Sequence, residues 1–154
     1  VLAFDFNGAG SSEFTGQKND LDVAEAVAFL RGKGVSAIVL IGASRGGTAV
    51  VTAGSKIAPP VDAVVSISAP ASFAGMDARE AAAKITAPVL YLAADLDGTY
   101  ADQAKELYGL STSSKDRRMT VVPGSQHGVP LMVPSVDLEA GSAVTDFLRT
   151  HAKP

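Results

Sequence analysis

Ser44, His127 and one of two aspartates, Asp95 or Asp97, are the residues of this chain that could carry out acyl transfer. Ser44 lies in Gly42-Ala43-Ser44-Arg45-Gly46, directly after the apolar run Ile38-Val39-Leu40-Ile41. A serine hydroxyl is a weak nucleophile at neutral pH; it needs a base within hydrogen-bond reach, itself oriented by a carboxylate. The chain has two histidines. His151 is three residues from the end, where a solvated side chain is expected. His127, in the turn-rich segment Pro123-Gly124-Ser125-Gln126-His127-Gly128 after an apolar run, is therefore the expected base. Asp95 and Asp97 both follow the run Val89-Leu90-Tyr91-Leu92-Ala93, and either fits a turn.

Short apolar runs alternate with longer amphipathic stretches, the pattern of a parallel sheet covered by helices on both faces. The expected strands are Val1–Phe6, Ala37–Ile41, Ala63–Ile67, Val89–Ala93 and Met119–Val122. The expected helices run from about Asp20 to Arg31, from Arg45 to before Pro59-Pro60, over Asp77–Lys84 and Tyr100–Leu107, and from about Val136 to Arg149. In the first, Leu21, Val27, Ala28 and Leu30 are expected near one face; in the last, Val136, Ala140, Val144, Phe147 and Leu148. Thr99-Tyr100-Ala101-Asp102 reads as a capping box. The fold class that follows is α/β: a three-layer sandwich with a mostly parallel sheet of about five strands, in one domain over residues 1–154.

Ser44 would then sit at a sharp turn from strand to helix. A Cβ at either flanking glycine, Gly42 or Gly46, would crowd the adjoining turn. The backbone N–H of Arg45 would open the helix, where unpaired donors and the helix dipole favour a developing oxyanion.

Composition narrows the alternatives. The chain is 47% hydrophobic with 19% charged residues, and 154 residues suffice for a core. A net charge of −3 and no basic cluster beyond Arg117-Arg118 argue against nucleic acid as a partner. Cysteine is absent, which removes thiolate nucleophiles and Cys-based zinc sites but leaves the compartment open. No apolar run approaches the roughly 18 residues of a membrane span.

Gly42-Ala43-Ser44-Arg45-Gly46-Gly47 also looks like the cofactor turn of short-chain dehydrogenases. Those enzymes need Tyr-x-x-x-Lys, and none of Tyr91, Tyr100 and Tyr108 has a lysine four residues on. Neither a cofactor nor a metal is implied.

With Ser44, Asp97 and His127 in that order, each after a strand, the chain resembles the α/β-hydrolases. The resemblance favours Asp97 over Asp95 as the acid. It also makes Pro123–Gly128 the histidine loop, and Phe4-Asp5-Phe6-Asn7-Gly8-Ala9-Gly10-Ser11-Ser12 the turn after the family's fourth strand, with Asp5 as loop organiser. Asp97 comes 53 positions after Ser44, a stretch already filled by elements, so no sizeable lid fits. The lidless dienelactone-hydrolase or small-esterase kind is implied, with small acyl esters as substrates. An anionic group on such a substrate could meet Arg45. If Val1 begins the fourth strand, the family's first three strands and the loop giving a second oxyanion N–H are absent. The expectation is then an N-terminally truncated fold, or a homodimer whose second copy completes the sheet. A non-catalytic binding or assembly domain that keeps the hydrolase-like fold is the alternative.

Overall fold

A computed structural model describes residues 1–133 and 138–152. Its elements in chain order are α1 (Asn19–Gly32), β1 (Val39–Ala43), α2 (Arg45–Gly54), β2 (Ala63–Ile67), β3 (Ser72–Phe73), β4 (Met76–Asp77), α3 (Ala78–Lys84), β5 (Val89–Ala94), α4 (Tyr100–Leu110), β6 (Arg117–Val122), a 3-10 turn (Val129–Met132) and α5 (Leu138–His151). The strands β1-β2-β5-β6 form a sheet in that order, every pair parallel. β3 and β4 make a separate antiparallel hairpin.

Side chains alternate across the strands, so successive residues of β2 and β5 enter different cores. Val64, Val89, Tyr91 and Ala93 pack with buried residues of α1, α2, α3 and α4. Ala63, Val65, Ile67, Leu90, Leu92 and Ala94 pack with Leu131 and with Ala140, Val144 and Phe147 of α5. Both faces are covered, which explains why these strands read as continuous apolar runs. The three-layer α/β sandwich is established, with four strands in its sheet among the described residues.

The fifth expected strand is not present. Residues 1–6 carry no strand, Val1 and Phe4 are exposed, and β1 pairs only with β2 among the described residues. An apolar run becomes a strand only when a neighbouring strand takes its backbone groups, and among the described residues no strand pairs with Val1–Phe6. Instead Asp5 organises the following turn, its Oδ2 accepting from Ser11 N–H at 3.1 Å and its carbonyl accepting from Ser12 Oγ–H at 2.9 Å.

Two helices also differ in detail from expectation. In α1 the buried residues are Asp20, Val23 and Val27, while Leu21 is exposed. A buried carboxylate takes the apolar stripe because Lys56 reaches Asp20 Oδ2 at 2.8 Å. At α4, Thr99 makes no side-chain cap bond; its Oγ1 accepts from Gln103 Nε2–H at 2.8 Å, one turn on. At α3 a side-chain cap is present: Asp77 Oδ1 accepts from the N–H groups of Arg79 and Glu80. The expected start of the last helix near Val136 lies outside the described residues.

Candidate active site

Because the four strands are parallel, the residues that follow their C-terminal ends share one edge of the sheet. Ser44 follows β1, Ser68 follows β2, Asp97 follows β5 and His127 follows β6. Ser44 sits between β1 and α2 with φ 53 and ψ −125, a left-handed conformation that a residue with a side chain adopts at a cost of about 1–3 kcal/mol. Its N–H donates to Ile67 O at 2.8 Å, extending the β1–β2 pairing one residue past the strand. Its carbonyl accepts from Thr48 N–H at 3.2 Å, the first helical bond of α2. The chain therefore turns from strand to helix at a single residue.

The glycines that permit this turn are not the expected pair. A Cβ on Gly42 would overlap the Gly46 carbonyl, and one on Gly47 would lie 2.7 Å from Ala69 Cβ. At Gly46 the nearest atom to an added Cβ is Phe6 Cε2 at 3.7 Å, an ordinary contact. The crowding thus falls at Gly42 and Gly47, because the residue one turn into α2 that faces β2 is Gly47. The N–H of Arg45 opens α2 with no protein acceptor among the described residues. Its exposed guanidinium lies over the Phe6 ring at 5.6 Å.

Residues far apart in sequence meet at this edge. His127 Nε2 is 2.9 Å from Ser44 Oγ across 83 positions. His127 Nδ1 is 3.1 Å and 2.9 Å from the two carboxylate oxygens of Asp97. Asp97 is buried at 7% exposure, whereas the imidazole is partly open at 36%, so the carboxylate is withdrawn from solvent while the ring stays accessible. Asp95 is exposed and bonded elsewhere: its Oδ1 accepts from Gly124 N–H at 2.8 Å.

His151, expected to be solvated, is instead packed. Its Nε2 lies 2.9 Å from Asp116 Oδ2, and its ring stacks edge-on against Phe147 at 4.7 Å. Asp116 immediately precedes β6, so this pair occupies the opposite sheet edge from His127.

Two residues beside His127 or its loop were not expected at the site. Tyr100 sets its ring 4.3 Å from that of His127, and Ser68 Oγ accepts from Gly128 N–H at 3.0 Å. Ser68 was legible only as a polar residue closing an apolar run. Among the described residues, no group of three or more His, Cys, Asp or Glu side chains is placed to hold a metal ion. Nor is any helix among them long and apolar enough to cross a membrane.

The sequence profile of the alpha/beta hydrolase fold matches residues 1–85. This chain belongs to the α/β-hydrolase fold family. Among solved structures it is similar to an esterase of Pyrococcus furiosus, with a TM-score of 0.81 at 19% identity over 98% of this chain and 69% of that one. It is also similar to the esterase domain of a Rhodothermus marinus protein, with a TM-score of 0.73 at 20% identity over 97% and 73% of the two chains. A third is a dienelactone hydrolase of Anabaena variabilis, with a TM-score of 0.69 at 19% identity over 87% and 60%. No curated protein sequence matches.

Proposed function

We propose that this chain is a serine hydrolase that cleaves small carboxylic esters through an acyl-enzyme on Ser44. Ser44 Oγ attacks the ester carbonyl while His127 Nε2 takes the hydroxyl proton. Asp97 accepts from Nδ1–H, which fixes the tautomer with a free lone pair at Nε2 and stabilises the imidazolium that forms. The tetrahedral oxyanion lies against the Arg45 N–H at the start of α2, where the helix dipole adds to the hydrogen bond. The intermediate collapses as His127 returns the proton to the departing alcohol. Water then enters, gives a proton to His127 and attacks the acyl carbonyl; as the acyl–Oγ bond breaks and the acid leaves, His127 returns that proton to Ser44 Oγ.

The observation that carries this reading is the 2.9 Å approach of His127 Nε2 to Ser44 Oγ, with Asp97 on the ring's other nitrogen. The left-handed φ of Ser44 supports it, since strain of this kind persists where surrounding structure holds a functional side chain in place. Small substrates suit the site because between Ser44 and Asp97 the chain inserts only α2, β2, the two-residue strands β3 and β4, α3 and β5. None of these forms a large cap. The similarity to an esterase and a dienelactone hydrolase points to the same reaction class.

Hydrolysis of p-nitrophenyl acetate tests the proposal. Ser44→Ala is expected to lower kcat by at least about 10⁴-fold with the fold intact. Wild-type turnover by that variant would exclude Ser44 as the nucleophile.

A further inference from the structure

We propose that Ser68 is a positioning residue for His127, its buried hydroxyl setting the place of the loop that presents the imidazole; this rests on the hydrolase reading of Ser44. His127 lies on a segment without regular structure between β6 and the 3-10 turn. An imidazole that must serve Ser44 and Asp97 at once needs that segment held on both sides.

On the upstream side, Gly124 is fastened to the loop that carries Asp97. Its N–H donates to Asp95 Oδ1 at 2.8 Å and its carbonyl accepts from Leu96 N–H at 2.8 Å. On the downstream side the fastening is Ser68. Gly128, the residue after His127, donates its N–H to Ser68 Oγ at 3.0 Å, and this contact is buried. Gly128 O then accepts from Leu131 N–H at 3.1 Å, and Leu131 is fully buried in the core beneath α5.

Ser68 is placed to hold the loop because β2 lies between the strand that delivers Ser44 and the strand that delivers Asp97. Its N–H donates to Leu92 O at 2.7 Å, tying it to β5, while Ser44 N–H donates to the preceding residue, Ile67. Ile67 and Ser68 thus bond to Ser44, to the strand that leads to Asp97 and to the residue that follows His127. Ser68 has φ 46, a conformation that glycine adopts more readily, and no exposed surface. A side chain kept in that backbone and out of solvent has a task inside the protein, and the Gly128 amide is the partner it meets.

The test compares the wild-type chain with Ser68→Ala and Ser68→Gly. The glycine variant suits φ 46 and carries the experiment where the alanine variant folds poorly. With p-nitrophenyl acetate, kcat is expected to fall between about 10- and 100-fold while KM stays within about twofold, the signature of a displaced base and not of a lost binding contact. Histidine side-chain ¹H–¹⁵N spectra, assigned with His127→Ala, supply a readout independent of turnover. The wild type is expected to show His127 with its proton held on Nδ1, and the Ser68 variants a tautomer average. Wild-type kcat together with an unchanged His127 spectrum in Ser68→Gly would overturn the assignment. A wild-type chain that hydrolyses nothing would end the hydrolase reading, and the spectra alone would then decide whether Ser68 positions the ring.

Discussion

Asp97 turns both carboxylate oxygens toward His127 Nδ1, at 3.1 and 2.9 Å. Asp95, only two positions earlier, accepts the Gly124 amide instead. The two acids meet the same loop at different points, so their replacement should separate chemistry from loop structure. Asp97→Asn presents a donor or the wrong lone pair to the imidazole and is expected to lower kcat about 10³–10⁴-fold with the fold retained. Asp95→Ala should cost about 1 kcal/mol of stability for one lost hydrogen bond, with a far smaller fall in kcat. Esterase kinetics beside urea unfolding curves check both.

Ser44 is held at φ 53, so removing its hydroxyl and removing its Cβ have different consequences. Ser44→Ala and Ser44→Gly should be equally inactive. Ser44→Gly should be more stable than Ser44→Ala by about 1 kcal/mol, because only glycine occupies left-handed backbone without the Cβ clash. Thermal unfolding of the two variants side by side measures the difference.

Gly42 and Gly46 flank the serine symmetrically in sequence but not in space. Gly42→Ala would drive a methyl group into the Gly46 carbonyl, which cannot move without unwinding the first turn of α2. A loss of at least about 1–3 kcal/mol is expected, as for other overpacked positions. Gly46→Ala places its methyl 3.7 Å from Phe6 and should be tolerated or mildly stabilising, since alanine favours the helix by about 1 kcal/mol over glycine. Denaturation midpoints for the two variants would show the asymmetry.

Alkaline stability should depend on Tyr91. Burial pushes its phenol from 10.0 up to about 12, partly offset by the hydrogen bond with Ser111. The folded state therefore favours the neutral phenol, and the associated stability is complete below pH 10 and lost as pH rises toward about 12. Tyr91→Phe should flatten that alkaline decline. At neutral pH it should cost about 1 kcal/mol for the bond to Ser111 Oγ, which still donates to Leu107 O. Unfolding free energies measured from pH 8 to pH 12 test the sign.

The sheet was readable in the sequence where burial is two-sided. β2 and β5 are apolar at nearly every position because each face meets a different core, and no solvent face interrupts the run. The same rule misled at Val1–Phe6, since apolarity records a preference for burial and carries no information about which neighbour will pair. At α1 the buried Asp20 broke the apolar stripe, and its compensation by Lys56 lies 36 positions away. The candidate site was legible to the extent that strand ends share an edge: Ser44, Asp97 and His127 each close an apolar run. Ser68 also closes one, yet its partner Gly128 is 60 positions on. A contact of that span has no local signature. The distinction between Gly46 and Gly47 likewise depends on which helical residue faces β2, a matter of one turn's rotation.

Covalent labelling of Ser44 by a fluorophosphonate, read as intact mass and located by peptide mapping, tests the central claim most directly. The account predicts one adduct on the wild-type chain, at Ser44, none on Ser44→Ala, and a strongly slowed adduct on His127→Ala. A folded wild-type chain that gains no mass, or gains it at another serine, would contradict it.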